Sequence, residues 1–170
     1  MAEVELILLR HGLAQPHGSV EDRQRALTPE GRLRTRRVCQ RARQFGLQAP
    51  LLITSPLVRA YQTAEVAVEE GLAPSLTSSE ALAPGGDPWP LLQDWWTRTA
   101  AGGSTRLILV GHEPDLGHLA CRLIGAPAGA LAFKKAGIAL LAWPRGTAPP
   151  SSTNPAQLRL LLTPKVLAST

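Results

Sequence analysis

Aromatic residues are scarce in this chain, with one tyrosine, two phenylalanines and four tryptophans in 170 residues. Single-strand nucleic-acid binders interleave basic side chains with aromatic stacking platforms. That pattern is missing here, so nucleic acid is not an expected partner in spite of a formal net charge of +5. Much of the positive charge lies in one run, Arg32, Arg34, Arg36, Arg37, Arg41 and Arg43. At a helical advance of about 100° per residue these side chains spread over several faces, as on a solvated helix. Only two cysteines occur, Cys39 and Cys121, too far apart for a CxxC redox or zinc pattern. They read as buried thiols, and neither a metal nor an organic cofactor is expected. No apolar run approaches the roughly 18 residues of a membrane span, and no basic segment precedes the short run near the start. A cytoplasmic protein without membrane attachment is the expectation.

With 44% hydrophobic residues the composition is that of a globular protein, and the length suits one domain over residues 1–170. Val4 to Leu9 reads as a buried strand that runs into Arg10-His11-Gly12. Thr28-Pro29-Glu30 carries an N-cap, a first-turn proline and an early acid, which predicts a helix from Pro29 to Phe45 closed by Gly46. Leu51 to Thr54 is a second strand, and Ser55-Pro56 opens a helix to Glu70 before Gly71. Ser75 to Ser79 is a weaker strand candidate. Asp87-Pro88 starts a helix bearing Trp89, Trp95 and Trp96 that ends at Gly102-Gly103. Arg106 to Val110 is the clearest strand, followed by Gly111-His112-Glu113-Pro114 and a helix ending near Gly125. Ile138 to Trp143 and Leu158 to Leu162 complete about six strands, separated by a Pro/Ser/Thr-rich loop of mobile character.

Alternating strands and helices predict a three-layer α/β/α fold around a mostly parallel sheet. Sites in such sheets lie at the carboxyl ends of the strands. Three strand ends deliver Arg10 with His11, Ser55 with Arg59, and His112. Phosphoryl transfer without a metal needs a nucleophile in line with the leaving group and cations around the equatorial oxygens. A neutral imidazole supplies the first, provided its second nitrogen is held as a donor. Planar guanidinium forks at Arg10 and Arg59 supply the second. His112, if cationic beside a dianion, adds charge and a donor. Any one of these residues alone has a plainer reading: a hydrogen-bonding strand-end histidine, an exposed helix arginine, a capping histidine.

Four segments together resemble the histidine phosphatase, or phosphoglycerate mutase-like, superfamily. LILLRHG looks like its nucleophile segment, LTPEG (27–31) its LTxxG element, SPLVRAYQTAE (55–65) its SPLxRAxQTA helix, and VGHEPDL (110–116) the segment carrying its second histidine. By that resemblance the fold is phosphoglycerate mutase-like, His11 is the phosphorylated histidine, Arg10 and Arg59 bind phosphate, and His112 is the second pocket histidine. The short length, EALAPGGDP (80–88) and KKAGIALLAW (134–143) look most like the small phosphohistidine phosphatases of the SixA type. The implied substrate is phosphohistidine on a protein.

The general acid is the open role. Glu80 falls where the superfamily's proton donor lies, and Asp87 and Glu113 are further carboxylates near the site segments, each with a plain reading as a solvated or helix-start acid. A P–N bond to imidazole needs less acid help than an alkyl ester. Hydrolysis of small phosphate esters is the competing enzyme reading, and a non-catalytic phosphate-binding module the third. His17 reads as an exposed loop residue and His118 as structural, while Lys134 and Lys135 have no assigned direction. The oligomeric state is left open, with a monomer as one reading.

Overall fold

The computed structural model describes residues 2–167. Among these residues six strands form one sheet, β1 (Glu3–Arg10), β2 (Leu51–Thr54), β3 (Thr77–Ser78), β4 (Arg106–Gly111), β5 (Ile138–Pro144) and β6 (Gln157–Leu162). Their spatial order is β3-β2-β4-β1-β5-β6. The β3-β2, β2-β4 and β4-β1 pairs are parallel, whereas β5 is antiparallel to both β1 and β6. The sheet is therefore mostly parallel, with one strand reversed.

Alternation along the central strands sorts side chains to two cores. Ile7, Leu9, Ile108 and Val110 pack on one face with α1 (Pro29–Gln44), α2 (Val58–Glu69) and the short α5 (Pro164–Leu167). Leu6, Leu8, Leu107 and Leu109 pack on the other with Trp95, Trp96, Leu116 and Leu119 of α3 (Trp89–Ala100) and α4 (Asp115–Ile124). Two buried faces explain why β1 and β4 read as continuous apolar runs rather than as alternating ones. Both cysteines are buried, as expected.

Helix starts follow the side chains available. Thr28 caps α1, its hydroxyl accepting the Gly31 N–H at 2.9 Å. Helix α2 begins at Val58, two residues later than Ser55-Pro56 implied. The Ser55 hydroxyl accepts the Leu57 N–H at 3.2 Å, which makes Ser55-Pro56-Leu57 a turn and sets Ser55 at the strand end rather than in the helix.

Candidate active site

Register brings the predicted residues together. Arg10 pairs with Gly111, the His11 N–H donates to the Gly111 carbonyl at 3.0 Å, and the Ser55 N–H donates to the Val110 carbonyl at 2.9 Å. The carboxyl ends of β1, β4 and β2 thus lie side by side. His11 and His112 are both buried, with ring centroids 5.1 Å apart and planes tilted by 53°.

His11 is locked by its neighbour. Its Nδ1 lies 2.7 Å from the Gly12 carbonyl, which can only accept, so Nδ1 carries the proton and Nε2 keeps its lone pair. Gly12 is held in turn from α2: its N–H donates to Thr63 Oγ1 at 3.0 Å, and that hydroxyl donates to the Arg59 carbonyl at 2.7 Å. Gln62 Oε1, one residue earlier, accepts the Leu27 N–H at 2.8 Å. The segment from Arg59 to Thr63 therefore supports the loop after β1 as well as presenting a guanidinium.

Arg10 and Arg59 are anchored at their tips. Arg10 Nη1 donates to the Phe133 carbonyl at 2.6 Å, and Glu113 Oε1 accepts the Phe133 N–H at 2.9 Å. Glu113, one of the carboxylates considered as an acid, thus fixes the loop that fixes Arg10. Arg59 Nη1 donates to the Asp22 carbonyl at 2.8 Å and Nη2 to Asp22 Oδ2 at 3.2 Å. Asp22 lies in a 3₁₀ turn, Asp22–Gln24, that the sequence did not announce. The Arg10 and Arg59 Nε atoms and His112 Nδ1 are buried and lack a hydrogen-bond partner. A buried donor left unsatisfied costs roughly 1–3 kcal/mol, so an anion that met these groups would gain from them.

Burial and neighbouring cations keep both imidazoles neutral. Burial is the largest influence on His11, the Gly12 hydrogen bond opposes it, and His112, Arg59 and Arg10 add to it, bringing the pKa to about 3. His112 is brought to about 4, chiefly by burial and then by Arg59. His112 is thus neutral in the free protein, and a cationic ring belongs only to the condition set for it, a dianion alongside. A neutral pair surrounded by guanidinium groups is suited to receiving a dianion, whose arrival would favour protonation.

Glu80, Asp87, His17, His118, Lys134 and Lys135 are all exposed. Glu80 is exposed in a 3₁₀ turn, Glu80–Leu82, and accepts from Arg23 Nη2 at 2.7 Å. Asp87 Oδ1 accepts the Trp89 N–H at 3.0 Å near the start of α3, a capping role. His17 is exposed, 3.5 Å from Asp22 Oδ1, and His118 is exposed on α4. Lys134 and Lys135 are exposed in the turn after Phe133. Among the described residues no group of three or more His, Cys, Asp and Glu side chains is arranged to hold a metal ion. Nor is any described helix long and apolar enough to cross a membrane.

A family model described as histidine phosphatase superfamily (branch 1) matches residues 6–83. An uncharacterized protein of Picosynechococcus sp. is 42% identical over 137 residues, which is 79% of this chain and 82% of that protein. The chain belongs to the histidine phosphatase superfamily. Its fold is similar to that of the protein histidine phosphatase SixA complexed with tungstate, with a TM-score of 0.78 and 22% identity over 96% of this chain and 99% of that one. It is also similar to a mycobacterial glucosyl-3-phosphoglycerate phosphatase, with a TM-score of 0.67 and 17% identity over 94% of this chain and 98% of the other. The matched segment 6–83 carries Arg10, His11, Asp22, Arg59 and Glu80, while His112 and Glu113 lie beyond it.

Sequence reasoning named the two histidines and two arginines that lie together here. It missed Asp22, Thr63 and Gln62 as supports. Thr63 and Gln62 stood inside a recognised segment, whereas Asp22 lies 37 positions from the arginine it holds.

Proposed function

We propose that this chain is a metal-independent phosphatase in which His11 takes up the phosphoryl group, with phosphohistidine on a protein as the substrate. One observation carries the reading: His11 donates from Nδ1 to the Gly12 carbonyl and leaves the Nε2 lone pair free in a buried, cation-flanked position. A histidine serving only to cap the end of β1 would have no need of a partner set that withholds the other nitrogen.

In the first step the Nε2 lone pair attacks phosphorus, a new N–P bond forms on His11, and the substrate's own N–P bond breaks. The electron pair leaves on the substrate imidazole, which takes a proton. Arg10, Arg59 and His112 hold the three equatorial oxygens. Water then attacks the phosphorylated His11, phosphate leaves, and the imidazole returns to its starting state. Glu80 is the proposed acid of the first step, at the rim and in reach of solvent. Its exposure and its ion pair with Arg23 suit an undemanding proton transfer better than protonation of an alkoxide. The similarity to SixA, a protein histidine phosphatase by its description, supports this choice of substrate.

The similarity to a glucosyl-3-phosphoglycerate phosphatase favours a second reading, hydrolysis of small phosphate esters. One assay separates the two. Phosphate release from a phosphohistidine peptide is compared with release from alkyl and sugar phosphates, alongside acid quenching to trap acid-labile phosphate on the protein. Faster release from the phosphohistidine peptide and a trapped phosphate that disappears in His11→Ala are expected. Faster release from an ester would transfer the assignment to the second reading, and a fully active His11→Ala would end both.

A further inference from the structure

The two histidines are held by different nitrogens. His11 is fixed through Nδ1, but His112 is fixed through Nε2, which lies 2.8 Å from Ser55 Oγ. A serine hydroxyl can donate or accept, so this contact alone leaves the proton's place undecided. Its surroundings decide it. Ser55 is wholly buried, and its oxygen already accepts the Leu57 N–H at 3.2 Å. If His112 Nε2 also donated to that oxygen, the Ser55 hydroxyl hydrogen would need a further acceptor in a position closed to solvent. Donating that hydrogen to Nε2 satisfies every atom of the contact.

We propose that Ser55 is a positioning residue that donates to His112 Nε2 and so holds His112 as the Nδ1–H tautomer. His112 Nδ1 is the buried ring nitrogen without a partner, and the ring stands beside that of His11. In the Nδ1–H form it presents a hydrogen to an incoming phosphoryl oxygen. In the other form it would present a lone pair to that oxygen, and acceptor would meet acceptor. The role in phosphoryl binding rests on the phosphatase reading of the site, whereas the tautomer belongs to the free protein.

The turn explains why a serine at this position does what a histidine pair alone cannot. Strand β2 ends beside β4, the Ser55 backbone is bound to the Val110 carbonyl, and the hydroxyl is steered by Leu57. An alanine would keep the backbone and lose the donor. Free imidazole side chains favour the Nε2–H form, so the ring should drift toward it once Ser55 ceases to oppose it.

Long-range ¹H–¹⁵N spectra of the histidine-labelled free protein near pH 7 test the proposal. The wild type is expected to show His112 with a protonated Nδ1 and a bare Nε2. Ser55→Ala should move His112 toward the Nε2–H form and lower kcat/KM by about 10-fold or more, while Ser55→Thr should restore both spectrum and rate to within a few-fold. An Nε2–H tautomer in the wild type overturns the proposal without reference to any variant. So does a folded Ser55→Ala protein that keeps the Nδ1–H form. A wild type with the expected tautomer that releases phosphate from no substrate would instead remove the phosphatase reading and leave the tautomer assignment upheld.

Discussion

Arg59 gives two of its N–H groups to Asp22, one to the backbone carbonyl at 2.8 Å and one to Oδ2 at 3.2 Å. The other carboxylate oxygen of Asp22 accepts Arg25 Nε at 2.9 Å, and Arg25 Nη1 reaches the Gln15 carbonyl at 2.8 Å. The loop after β1 thus folds back to hold the arginine of α2. Desolvation raises the Asp22 pKa, but Arg25 and Arg59 outweigh it and hold the carboxyl below its ordinary value. Asp22 is ionised at neutral pH, which makes it a counter-charge to Arg59 and not a proton donor.

Asp22→Asn should therefore separate two properties. Loss of the charge frees Arg59 for anions, so inorganic phosphate or vanadate should inhibit more tightly, by a few-fold. Loss of the fixed orientation should lower kcat several-fold. Inhibition constants and turnover measured on the same preparation check this, and weaker anion inhibition in the variant would show that Asp22 serves orientation alone.

Acid should destabilise the free protein through its two neutral imidazoles. Their folded pKa values, about 3 for His11 and about 4 for His112, lie below the unfolded value of 6.5. Between these limits the unfolded chain binds more protons, so stability is fully present above pH 6.5 and declines as pH falls toward 4. From pH 6.5 to 5 the loss is on the order of 1–2 kcal/mol per ring. Urea midpoints at pH 7.5 and pH 5 measure it, and the difference should shrink in His11→Ala. After correction for substrate ionisation, kcat/KM should show no loss of the nucleophile near pH 6.5. A titration there assigned to His11 would contradict its buried, cation-flanked setting.

Glu80→Gln should have unequal effects on two substrates. With phosphohistidine the departing imidazole takes a proton readily, and a change within a few-fold is expected. With an alkyl phosphate the loss should be far larger, since general acid catalysis is typically worth about 100- to 10,000-fold. Asp87→Asn run in parallel should be inert toward chemistry, because Asp87 caps the start of α3. Equal losses on both substrates in Glu80→Gln would favour the ester reading.

Gly12→Ala should damage stability and rate together. A methyl group there would lie 2.2 Å from Thr35 Oγ1 and 3.2 Å from Leu27 Cδ2, and Thr35 is wholly buried in α1. Overpacking of this kind costs about 1–3 kcal/mol. Any shift of the Gly12 carbonyl also releases His11 Nδ1. Denaturation midpoints and kcat should both fall, and a variant matching wild type in both would mean that α1 yields without disturbing the loop.

Much of the architecture was legible because each element carries its own local pattern. Thr28-Pro29 started α1 where expected, and Leu51 to Thr54 is a strand as read. The reversal of β5 was not legible, since Ile138 to Trp143 is apolar in either direction and its pairing with β1 is settled only by the neighbours. Strand β3 shrank to Thr77–Ser78, and α5 went unnoticed because four residues hold too little periodicity to detect. In the site, His11, His112, Arg10 and Arg59 stood in compact motifs. Asp22 sat in a polar stretch whose meaning depends on a side chain from another helix.

Strand β1 runs through the interior of the sheet, between β4 and β5, and carries His11 at its end. The segment that brings Asp22 and Arg23 to the rim is an excursion whose ends are tied together, with the Gln15 N–H on the Ala26 carbonyl at 2.8 Å and the Thr28 N–H on the Leu13 carbonyl at 3.0 Å. A loop closed at its base can change length and composition at small entropic cost to the scaffold. The tie fixes the base of the excursion, while its tip carries Asp22 and Arg25, the pair that holds Arg59. Exchanging residues 16–25 for a loop of another length would therefore leave the base and His11 in place while releasing the Arg59 guanidinium from Asp22.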